Sequence, residues 1–74
     1  MSKLPSISGK TAIAAFCRLG YDVLRQKGSH VRLTSLYRKP LTIPNHSVLG
    51  KGLLRKLLRD SEISVDDFLK LLRK

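Results

Sequence analysis

The period of the apolar residues changes twice along the 74-residue chain. Ala12, Ile13, Ala15, Phe16 and Leu19 recur at helical spacing. Ser8 precedes them as an N-cap, and Gly20 follows where a left-handed residue ends a helix. The pattern then turns to alternation. Residues 21–27 and 30–35 are runs with alternation and β-branched residues, and the Gly28-Ser29 pair between them predicts a hairpin closed by a type II′ turn. Leu41-Thr42-Ile43 predicts a third short strand, ended by Pro44, which has no N–H for a ladder. From Lys51 the helical period returns. Leu54, Leu57 and Leu58 form an apolar stripe, with Lys51, Arg55, Lys56 and Arg59 around it. Ser64 and Asp67 make a capping box for a last helix, and Ile63 and Phe68 a hydrophobic staple. Asp66 and Asp67 fall in its first turn and Arg73 and Lys74 in its last, both as the helix dipole favours. The order α-β-β-β-α-α predicts an α+β fold, a three-stranded antiparallel sheet with helices on one face. No repeat, linker or low-complexity segment breaks it, so residues 1–74 read as one domain.

Composition narrows what such a domain can do. A chain this short buries only about 60–65% of its unfolded surface, so chemistry must sit on an open face. Hydrophobic residues make up 42% and charged residues 27%, a globular balance. Lys and Arg number 15 against 5 Asp and Glu, a net charge of +10. That field attracts polyanions, nucleic acid first. The single cysteine, Cys17, excludes an internal disulfide and a Cys-rich zinc site; it reads as a small buried apolar side chain. His30 and His46 have no acidic neighbour in sequence to complete a metal site. The apolar runs are too short to span a membrane, and Met1-Ser2-Lys3-Leu4-Pro5 is not a signal peptide. A reduced cytoplasmic protein with neither metal nor cofactor is expected.

The hairpin carries the candidate chemistry. A two-residue turn sets Lys27 opposite His30, Gln26 opposite Val31, Arg25 opposite Arg32 and Leu24 opposite Leu33. Alternation then puts Leu24, Val31 and Leu33 on the face toward the helices. Arg25, Lys27, His30 and Arg32 share the open face, with no carboxylate among them. In so basic a chain these cations also read as a solvated face that discourages edge pairing. An imidazole among cations, however, meets the needs of acid–base chemistry on a phosphodiester. It can take a proton from a 2′-hydroxyl while the cations stabilise charge on the phosphoryl oxygens. The Gly28 and Ser29 amides, in the turn beside it, can help hold a phosphate.

At these residues the sequence resembles a known family. Gln26-Lys27-Gly28-Ser29-His30-Val31-Arg32-Leu33 looks like the glycine-serine-histidine hairpin of HicA-type toxins, the mRNA interferases of HicA/HicB toxin–antitoxin systems. Ile7-Ser8-Gly9-Lys10 and Leu19-Gly20-Tyr21, around the first helix, are similar to the family's start. Ile43-Pro44-Asn45-His46 resembles its Pro-x-His loop. The segments starting at Lys51-Gly52 and Ile63-Ser64 resemble its closing helices. The likeness covers roughly residues 6 to 72. It implies a double-stranded-RNA-binding-domain-like fold and metal-independent cleavage of mRNA, with His30 as the catalytic residue. It also implies a HicB-type antitoxin that covers the site of a monomeric toxin. Leu53 departs from the family, which often carries Thr or Ser there.

Other signals point less far. His46 follows Pro44-Asn45 in a loop, and nothing in the sequence says that it reaches His30. Gly50-Lys51-Gly52 precedes a helix but lacks the spacing of a P-loop. Tyr37, in a basic loop, can stack on a base, but the four aromatics form no RNA-stacking set. Two other classes stay open: a non-catalytic double-stranded-RNA-binding module, and an anionic-membrane or antitoxin-like adaptor protein, which the polar hairpin and short helices disfavour.

Overall fold

The computed structural model describes residues 3–73. Along the chain lie α1 (Gly9–Leu19), β1 (Asp22–Lys27), β2 (His30–Thr34), β3 (Leu41–Pro44), α2 (Lys51–Ser61) and α3 (Val65–Leu72). The strands form one antiparallel sheet in the order β1-β2-β3. This is the expected α+β arrangement, consistent with a double-stranded-RNA-binding-domain-like fold.

The caps are those the sequence spells out. Ser8 Oγ accepts from the Thr11 amide at 3.1 Å, and Gly20, left-handed, ends α1. Ser64 Oγ accepts from the Asp67 amide at 3.1 Å to start α3. In the last turn of α3 the basic residue is Lys70; Arg73 is the C-cap and Lys74 lies outside the described residues, as do Met1 and Ser2. The hairpin turn has Gly28 at φ +59°, while Ser29 is not among the residues with positive φ, as a type II′ turn requires.

The helices cover the face of β2 and β3 that carries Val31, Leu33, Leu41 and Ile43, all buried. Phe16 links the layers. Its ring stands edge-on to Tyr21 at 5.8 Å and tilted to Phe68 at 5.3 Å, within the range of favourable aromatic pairs. Leu4 and Leu49, from segments outside the regular elements, complete the core. Arginines tie chain segments to helix ends. The Arg18 guanidinium donates to the Leu71 carbonyl at 2.8 Å, and that of Arg38 donates to the Ser61 carbonyl.

Two expectations need correction. Leu24 does not face Leu33 and does not enter the core. The register shifts at a bulge between Val23 and Arg25, so Val23 opposes Leu33 and Leu24 is left 59% exposed. The turn fixes pairing near itself, from Lys27–His30 to Arg25–Arg32. At the far end Tyr21 is locked in the core, its hydroxyl donating to the Lys39 carbonyl at 2.7 Å. The two anchors are one residue out of step, and the bulge absorbs the difference. Cys17 is the second correction: it is exposed, on the outer side of α1. Ala12, Ala15 and Phe16 supply the buried stripe of that helix, and the position after Phe16 turns away from it.

Candidate functional site

The cationic hairpin face exists as a shallow depression of about 370 Å³. Its lining is Arg25, Lys27, His30, Arg32 and Thr42. Register explains the set. Lys27, His30 and Pro44 form one cross-strand row, and Arg25, Arg32 and Thr42 the next. Residues paired across strands share a face, so both rows point away from the core. His30 is exposed and next to the turn. Arg32 is half-buried, and its guanidinium donates to Thr42 Oγ1 at 2.9 Å. That bond orients one planar fork of donors on the floor of the depression.

Gly28 and Ser29 form the turn at the rim rather than the lining. Two bonds hold the turn. The Gln26 side-chain amide donates to the Gly28 carbonyl at 3.0 Å, and the Asn45 amide donates to the Ser29 carbonyl at 2.6 Å. The second bond brings the 44–46 loop against the hairpin. The same loop is held from behind, because the Gly9 amide donates to the His46 carbonyl at 2.8 Å. A Cβ on Gly9 would stand 2.1 Å from the Pro44 carbonyl oxygen, so glycine alone permits this approach. His46 is thus fixed through its backbone near the hairpin end, with its side chain exposed and outside the lining of the depression.

Thr42 is the lining residue that sequence reasoning missed. It sits in the expected third strand, but a loop, not a tight turn, joins β2 to β3. Register therefore could not be read, although alternation with Leu41 and Ile43 already puts Thr42 on the open face. Tyr37 is 91% exposed in that loop, at the opposite end of the hairpin from His30. Partial desolvation, and then the Asp22 carboxylate, push the Cys17 thiol above its ordinary value, the reverse of an activated thiolate. No group of three or more His, Cys, Asp or Glu side chains comes together among the described residues, and none of its helices is long and apolar enough to cross a membrane.

A small basic α+β domain with an imidazole and three cations on an uncovered sheet face has the charge to attract polyanions. Comparison makes the class definite. The family model described as the HicA toxin of bacterial toxin–antitoxin systems matches residues 9–63, which include the hairpin, the 44–46 loop and α2. The chain belongs to the HicA toxin family, and so it has the role of a toxin with an antitoxin as counterpart. Neither the curated proteins nor the solved structures yield a match.

Proposed function

We propose that this toxin is an endoribonuclease that cuts mRNA at the hairpin face, with His30 as general acid–base. The observation that carries the reading is the convergence of His30 with Arg25, Lys27 and Arg32 in one open depression. Cleavage of an RNA strand by its own 2′-hydroxyl asks for two things. A base must take the 2′-hydroxyl proton as that oxygen bonds to phosphorus, and positive charge must face the phosphoryl oxygens as negative charge grows there. His30 supplies the first and the three cations the second. The protonated His30 then returns that proton to the departing 5′-oxygen as its bond to phosphorus breaks, and the product carries a cyclic 2′,3′-phosphate. The Gly28 and Ser29 turn adds backbone donors at the rim for a neighbouring phosphate. No step calls for a metal ion or an organic cofactor.

In this reading residues 1–74 act as one domain, a monomer in the cytoplasm until a HicB-type antitoxin covers the hairpin. Shallowness suits the substrate. An open face admits a single strand of RNA, whereas a small metabolite would need an enclosing cleft.

The test is His30→Ala, assayed on RNA and in cells. Purified toxin should release RNA fragments, and the variant should do so roughly 10²–10⁴-fold more slowly, the usual worth of a general acid or base. Because His30 is exposed, the variant should unfold at the same temperature as the parent. Induced expression without antitoxin should arrest growth in a His30-dependent way. RNA that is retarded but left whole would make the protein a double-stranded-RNA-binding module instead.

A further inference from the structure

A second groove adjoins the hairpin face. It measures about 160 Å³, lies between the β3 edge and α2, and shares Arg32 and Thr42 with the first depression. Its apolar walls are Pro40, Leu53 and Leu57; besides the shared Arg32, its charged residues are Lys56 and Asp60, both on α2. A strand lying on Arg32 therefore meets, one step over the β3 edge, a slot with apolar sides.

Asp60 is the informative residue. The chain has 5 acidic residues against 15 basic ones, and one of the five lines a groove continuous with its cationic face. A carboxylate there repels phosphate, so backbone binding cannot be its purpose. It is half-buried, and its charge helps to push the buried Tyr21 hydroxyl above its ordinary pKa. An acceptor beside apolar walls suits a flat ring with an N–H₂ on its edge, as carboxylates accept from cytosine N4 in duplexes. Lys56, one helical turn before Asp60, suits the phosphate of the same nucleotide.

We infer that the groove between β3 and α2 takes the base of the nucleotide next to the one bound on the hairpin. Asp60 accepts from its exocyclic amino group and so selects the amino-bearing bases, adenine, cytosine and guanine, over uracil there. This rests on the ribonuclease reading for its substrate and adds a basis for choosing among RNA sequences.

The experiment uses short unstructured RNAs, built on uridine, with a single adenosine, cytidine or uridine at each position in turn. Cleavage is measured with the parent protein, and affinity on the His30→Ala background. The parent should favour adenosine or cytidine over uridine at one position by roughly 5- to 100-fold, the worth of one good base-edge contact. Asp60→Asn, whose amide can donate as well as accept, should abolish that preference. Lys56→Ala should weaken binding to every RNA alike. An unchanged preference in Asp60→Asn, or none in the parent, overturns the inference while leaving the nuclease standing. Preference in binding without cleavage by the parent would uphold the groove and remove the nuclease; RNA that does not bind would remove both.

Discussion

Gly9 and Tyr21 hold the site in place without lying in it. Gly9 lets α1 press on the end of β3, where Pro44 is the cross-strand partner of His30. Gly9→Ala should cost about 1–3 kcal/mol, the range for forcing an extra carbon into a packed site. Chemical denaturation would measure it. Since the carbon would meet backbone rather than a flexible side chain, the 44–46 loop must yield, and RNA cleavage should fall along with stability. Tyr21 anchors the other end of the hairpin through its bond to Lys39. Tyr21→Phe should lose about 1 kcal/mol at neutral pH. The hydroxyl's pKa is raised, mainly by burial, so the folded state prefers the neutral phenol. Its stabilising share is whole below the ordinary tyrosine value of about 10 and declines as pH rises from there through the raised folded value. Unfolding followed between neutral and alkaline pH should therefore show a shallower alkaline loss in Tyr21→Phe than in the parent.

The hairpin concentrates the charge. Arg25, Lys27 and Arg32 project from a flat pair of strands, a geometry that meets phosphates rather than base edges. With about four phosphates engaged, the logarithm of affinity should fall against that of salt with a slope near −3, at about −0.7 per contact on a single strand. Lys27→Ala or Arg32→Ala, on the His30→Ala background, should lower that slope by about 0.7 for every RNA sequence. A salt titration decides it; an unchanged slope would move the RNA to the basic side of α2. The same hairpin shows what a sequence discloses. Next to the turn, register follows from two residues, so the four lining residues of β1 and β2 were legible. Beyond Arg25 it depends on where Tyr21 is anchored, a tertiary fact, and Leu24 was misplaced. Thr42 depended on a strand pairing across a six-residue loop, which local pattern does not specify. Capping, by contrast, is decided within four residues, and Ser8 and Ser64 were legible. Leu4 and Leu49 lie outside any periodic segment, so nothing in the apolar pattern marked them for the core.

Across the molecule, charge is ample and the core is small. A toxin with a +10 charge and an open cationic face suits a partner that offers opposite charge over that face. The antitoxin should place acidic or polar groups over Lys27, His30 and Arg32. Amide chemical-shift changes on titration would map this interface, and shifts confined to the helices would contradict it. The uneven backing of the sheet has a kinetic meaning as well. Every residue of β1 is exposed, whereas β2 and β3 send Val31, Leu33, Leu41 and Ile43 into the core. Detaching β1 uncovers little apolar surface, so it opens at a lower free energy than the strands behind it. His30, Arg32 and Thr42 then belong to the durable part of the molecule. Arg25 and Lys27 ride on a strap that can peel away and return, so two of the five lining residues come and go on a timescale of their own.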